Sequence, residues 1–187
     1  MRFNTDRVMS LSAMLVGVGS LFIIVYQTML LREQQKASAL PYVMLGLQAT
    51  DARSYVFARN TGIGPALIED VVVRYQSREL RQDPYDLLLD VRPETVKNDG
   101  LSVDKLMPGR LVPAGEWINM VGSEGNGQQM AGTLMGVFDI GEVPQGWYDE
   151  RGIPKSGPEK AIIEVTYRSV YGDRWRVSSD TIVPQPL

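Results

Sequence analysis

Residues 8–31 read VMSLSAMLVGVGSLFIIVYQTMLL, twenty-four positions without a charged side chain, bracketed by Arg7 and Arg32. At a helical rise of about 1.5 Å per residue, this run spans roughly 36 Å, a little more than the ~30 Å hydrocarbon core of a bilayer. It is apolar on every side and lacks the polar stripe that a soluble core helix of this length carries. Tyr26 and Gln27 lie near its end, where amphipathic side chains suit the interface. The expectation is a transmembrane helix. A cleaved signal peptide competes with it: Arg2 and Arg7 provide a basic start, and Ala37-Ser38-Ala39 has the shape of a cleavage site. The run, however, exceeds the usual ~7–15 apolar residues of a signal peptide, and the charged REQQK at 32–36 separates it from those alanines. An uncleaved anchor is the favoured reading.

Within the run, Ala13 and Gly17 form a small-xxx-small pair and Gly19 adds a further notch. Such a groove lets two helices approach closely, which points to self-association or to docking on another membrane subunit. Glycine and alanine are also common in membrane helices for no such reason. Each flank holds two basic side chains, so only the α-amino group tips the positive-inside balance. A short basic N-terminus ahead of a long domain places that domain outside the cytoplasm. The expected location is a bacterial inner (plasma) membrane, crossed once, with the domain in the periplasm.

Beyond the anchor the composition changes. Of 19 basic and 22 acidic residues in the 187-residue chain, four and two lie within residues 1–40, which leaves 15 and 20 for the remainder. So acidic a domain does not suit a phosphate backbone, and nucleic acid is set aside as a partner. The chain has neither Cys nor His. That excludes disulfides, thiol nucleophiles, thiolate or imidazole metal sites, and Ser-His or Cys-His catalysis. No Asn-x-Ser/Thr acceptor occurs, in line with a bacterial origin.

Residues 32–39 continue the helix as a short stalk, which Pro41 ends. The pattern then turns strand-like. In 161–170, Ile163, Val165 and Tyr167 alternate with Glu164, Thr166 and Arg168. Tyr171-Gly172-Asp173 supplies a turn, and Trp175 and Val177 alternate with Arg174, Arg176 and Ser178, so the pair reads as a hairpin. Further strands are expected at 42–49, 54–59, 68–76, 117–121 and 133–140, with Trp117 and Trp175 in the core. Between the second and third strands, Asn60-Thr61-Gly62-Ile63-Gly64-Pro65 offers positive φ at its glycines and a preset exit at proline. Two insertions interrupt the rhythm. Residues 81–107 hold one short helix with Asp83 as N-cap, Pro84 first and Pro93 as stop. Residues 141–159 form a long Gly/Pro/charge-rich excursion.

The segments N-T-G-I-G-P-A at 60–66 and Y-R-S-V-Y-G-D-R-W at 167–175, behind a single membrane helix, resemble bacterial membrane-anchored proteins with a small immunoglobulin-like sandwich. The resemblance covers about a third of the domain and implies no catalytic residues. The expected fold is mainly β: an anchor and stalk at 1–40, then an antiparallel immunoglobulin-like β-sandwich at 41–187 with a short helical insertion.

Candidate sites are few. The glycine-rich 122–127 stretch carries Glu124 and is followed by no Lys-Ser/Thr, so a hairpin loop is favoured over a phosphate cradle. Asp83, Asp86 and Asp90 interleave with Leu87, Leu88 and Leu89 as the wet face of an amphipathic helix and lack a calcium-loop pattern. Lys155-Ser156 cannot act as a hydrolase pair without the Ser-x-x-Lys helix. Trp147 and Tyr148, in the long excursion, either anchor a partner or fold back over the sandwich edge. The expected function is a non-catalytic, membrane-tethered interaction module that uses sandwich loops or a strand edge and needs no cofactor. Its partners would be membrane lipid together with another membrane or periplasmic protein, or a second copy. The alternatives are a structural subunit of a membrane assembly held through the helix, and a carbohydrate- or lipid-binding domain built on Trp147 and Tyr148.

Overall fold

The computed structural model of the protein describes residues 5–75, 78–80, 83–94, 101–124, 127–140, 160–181 and 183–187. The chain divides into two units, Met1–Ser38 and Ala39–Leu187.

The first unit is α1, a 33-residue helix from Thr5 to Ala37. It is long and apolar enough to cross a membrane. Three of its hydroxyls are satisfied internally: Ser12, Ser20 and Thr28 donate to the carbonyls of Val8, Val16 and Ile24 at 2.7–2.8 Å. Polar groups closed off in this way are what hydrocarbon tolerates. The REQQK segment continues the helix, as its composition predicts.

The second unit holds two antiparallel sheets. In the first sheet the order is β1 (Val43–Ala49), β2 (Arg53–Asn60), β7 (Trp117–Glu124) and β5 (Leu101–Ser102). The second runs β10 (Gln185–Pro186), β9 (Arg174–Ser178), β8 (Ile162–Arg168), β3 (Ala66–Tyr75) and β4 (Arg78–Leu80), with β6 (Leu111–Val112) beside the start of β3. One hydrophobic core joins both sheets: Val43, Leu45, Val56 and Ala58 from the first, and Ile68, Val71, Val73, Ile163, Val165 and Tyr167 from the second. Two helices add to it, α2 (Pro84–Val91) through Leu87 and Leu88, and α3 (Gly127–Val137) through Met130 and Leu134.

The expected hairpin is β8–β9, with Val165 opposite Val177 and Tyr167 opposite Trp175. Asp83 caps α2 by accepting from Tyr85 N, with Pro84 in the first turn. Three expectations are corrected. Residues 133–140 are not a strand; α3 occupies 127–137. An apolar run this short fits both periods, and Met130, Leu134 and Val137 lie on one helical face that the core buries. Trp117 is not a core residue. It stands on the outer face of β7 and is 37% exposed. Nor do Gly62 and Gly64 serve positive φ, which among the described glycines occurs at Gly109, Gly115 and Gly172. Their role is close approach: a Cβ on Gly62 would meet the backbone of Leu40, Pro41 and Tyr42, and one on Gly64 the backbone of Ala39.

Asn60 holds that crossing together. It is fully buried, and its amide makes four hydrogen bonds. Oδ1 accepts from Tyr42 N at 3.1 Å and Gly62 N at 3.0 Å; Nδ2 donates to Gly64 O at 2.8 Å and Val112 O at 3.0 Å. Every side-chain donor and acceptor is used, and three separate segments are joined. Leaving a buried polar group unpaired costs about 1–3 kcal/mol. Asn60→Ala strands two buried carbonyls and two partly buried N–H groups that water can reach, so a loss of about 2–3 kcal/mol is expected. Asn60→Asp keeps the acceptor, loses both donors and is expected to destabilise as well. Denaturant unfolding of the two variants checks this, and midpoints equal to wild type would refute the role of the amide.

Candidate functional site

The outer face of the first sheet carries an aromatic group built from three strands. Gly46 in β1 lies opposite Phe57 in β2. The Phe57 ring fills the place of the missing side chain, since a Cβ on Gly46 would sit 2.6 Å from Phe57 Cζ. Trp117 stacks on Phe57 with centroids 4.0 Å apart and planes 25° from parallel. The Arg59 guanidinium lies 5.5 Å from the Trp117 ring centre, within cation–π range. Trp117 Nε1 donates to Asn119 Oδ1 at 2.5 Å, which fixes the indole in its plane. An exposed Trp with an Arg, locked by neighbours, matches the side-chain types that dominate binding hot spots, and it pays little ordering entropy on contact.

The outer face of the second sheet is charged, and among its described arginines three are paired within it while Arg176 is exposed. A bulge leaves Glu69 as the extra residue between the Ile68 and Asp70 pairings with β8. Its carboxylate meets Arg174 at 2.6 Å and Arg168 at 3.6 Å, while Arg74 pairs with Glu164 at 2.8 Å. The free edge of β1 is partly closed. Val43 N donates to the Tyr167 hydroxyl at 3.2 Å, and Leu45 is buried, so edge pairing is open only toward Leu47 and Ala49. Burial pushes the Tyr167 phenol up to about 12, so it stays a neutral hydroxyl at this junction.

A pocket of about 400 Å³ lies between Asp70, Asp83, Asp86, Lys105 and Met107. The three helix carboxylates do not converge there. Asp83 is the buried cap, Asp86 pairs with Lys105 at 3.7 Å and Asp90 is exposed. Among the described residues, no group of three or more Asp, Glu, His or Cys is placed to hold a metal. Of the remaining sequence candidates, Ala13 and Gly17 share a face of α1, whereas Gly19 lies roughly 200° around from Gly17 and does not extend their groove. Gly122 and Gly127 allow backbone contact with β2 and with the 50–53 turn. Trp147, Tyr148, Lys155 and Ser156 lie outside the described residues. The Trp117 cluster was missed because alternation alone does not say which face of a strand is buried.

Burial holds the Asp83 carboxyl above the ordinary carboxylate range, and Oδ2 has no hydrogen-bond partner among the described residues. A raised folded-state pKa means that Asp83 adds stability below the ordinary range and loses it as pH rises through its own value. Asp83→Asn keeps the oxygen that caps Tyr85 N and removes the charge. It is expected to raise the thermal midpoint at pH 7, by less than Asn60→Ala lowers it, and the gain should vanish near pH 4. A variant less stable than wild type at pH 7 would show that the charge itself supports the cap.

In comparisons with known proteins, no family model matches the chain, and no curated protein or solved structure matches it.

Proposed function

We propose that the chain is a single-pass bacterial inner-membrane protein whose extracytoplasmic domain is an immunoglobulin-like β-sandwich working as a non-catalytic interaction module. For the anchor, the support is α1 itself, whose apolar length fits a hydrocarbon core and three of whose hydroxyls are internally bonded. For the fold it is strand order. The first sheet, β1-β2-β7-β5, has the A-B-E-D order of an immunoglobulin domain, and the second, β9-β8-β3-β4, has the order G-F-C with an added strand next to C. On this alignment α2 falls between the added strand and D, and α3 between E and F.

The observation that carries the functional reading is the Phe57–Trp117–Arg59 group. A stacked, partly exposed tryptophan with a guanidinium above it contributes little to a core. It offers a partner a rigid aromatic surface with one positive charge. The partner class this fits is another membrane or periplasmic protein presenting apolar and acidic groups. No cofactor enters the reading.

Removing a hot-spot side chain costs about 2 kcal/mol or more, roughly 30-fold in affinity. Full-length protein purified from its native membrane is expected to bring down a defined partner. Trp117→Ala and Arg59→Glu should each reduce its recovery at least tenfold, while Ser102→Ala on the far edge strand should not. Arg59 is exposed, so its variant keeps the fold and separates lost contact from lost structure. Equal recovery with both variants would sink this surface as the site.

A further inference from the structure

We propose that the end of the domain nearest the anchor is a second contact surface, for lipid: the 61–64 turn and the 170–172 hairpin tip sit in the headgroup layer. This rests on the reading of α1 as a membrane anchor. Ile63 is 67% exposed, Val170 59%, Tyr171 46% and Leu40 44%. No residue in either tip is charged. Both tips project from one end of the domain. The turn leads into β3 at Ala66, and Leu67 pairs with Arg168 just before the hairpin tip. Leu40 is fastened to the same end, because its carbonyl accepts from Ile63 N at 3.1 Å and Gly64 N at 3.2 Å.

Chain connectivity brings this end to the bilayer. Three peptide steps separate Ala37, the last residue of α1, from Leu40, a reach of at most about 11 Å. Residues 32–37 rise only about 9 Å beyond the apolar run, against a headgroup layer of roughly 5–8 Å on each side. Leu40 and the turn bonded to it are thus within range of the headgroups. The charged groups nearby are Arg59, Arg168 and Arg174 against Glu69, Asp173 and Glu116. They flank the tips, as interfacial segments require, and Tyr171 has the amphipathic ring that interfaces favour. At the other end of the first sheet, the β1–β2 turn is Thr50-Asp51-Ala52, polar and exposed.

The absence of native cysteine allows single-cysteine labelling of the full chain. Ile63→Cys, Val170→Cys, Ala52→Cys and Phe22→Cys would each carry a small fluorophore, with the protein reconstituted in phosphatidylcholine–phosphatidylglycerol vesicles. Quenching by shallow and by deep, mid-chain spin-labelled lipid is compared with quenching by aqueous iodide. The labels at 63 and 170 are expected to be quenched by lipid at least threefold more than the label at 52, which should respond to iodide. The label at 22 should be quenched by lipid alone. If 22 is lipid-quenched while 63 or 170 responds to iodide like 52, the lipid surface is overturned and the anchor stands. If 22 is open to iodide, the anchor reading fails and this proposal fails with it.

Discussion

The domain depends on a buried amide at the point where the chain arrives from α1. Residues 40–42 run across the 60–64 turn instead of beginning as an ordinary strand, so their backbone groups have to be matched by that turn. Asn60 supplies the match, receiving from Tyr42 N and Gly62 N and donating to Gly64 O and Val112 O. Gly62 and Gly64 make the crossing possible because any side chain there would occupy the backbone of 39–42. The seven consecutive β1–β2 pairs, from Val43 with Asn60 to Ala49 with Ser54, then follow without a register shift. A slip of one residue would turn Val43 and Leu45 out of the core.

Two bulges decide what the sheets show to the outside. One, between Val56 and Phe57, makes Met120 of β7 the extra residue. Met120 and Val121 are both buried, while Trp117 and Asn119, before the bulge, keep the outer face. The other makes Glu69 the extra residue of β3, and its carboxylate serves two arginines of the β8–β9 hairpin. The first insertion buries Met120 while Trp117 and Asn119 keep the outer face, and the second brings the Glu69 carboxylate to the surface beside two arginines.

How far this could be read from residues alone follows the range of the physics involved. The β8–β9 hairpin, the Asp83 cap and the 60–65 turn are local devices, and local chemistry announces them. The Asn60 amide was visible only as a turn residue, because its partners Tyr42 and Val112 are far from it in sequence. Residues 133–140 were misread because Leu134, Met135, Val137 and Phe138 suit either period, and what selects helix is the space left between the sheets. Trp117 was placed inside because strand alternation gives two faces and no sign. The sign comes from Phe57 and Gly46, on strands that only the fold brings next to it.

The proposed anchor also bears on where the proposed recognition would occur. In an immunoglobulin-like domain the loops after strands B and F lie together at one end, and they are the usual binding loops. The 60–65 turn, which takes the B–C place in the proposed alignment, clasps residues 39–42. If that end meets lipid, as proposed, a protein partner at those loops would compete with the membrane. The faces of the sheets face no such competitor. On the second sheet, Arg74, Arg168 and Arg174 already have carboxylates, while Arg176 is exposed with no ion pair among the described residues. On the first sheet, Trp117 and Arg59 are held in place by Phe57 and by each other, with their remaining surface open to solvent. On the proposed reading, a partner docking there gains aromatic burial without first breaking an ion pair.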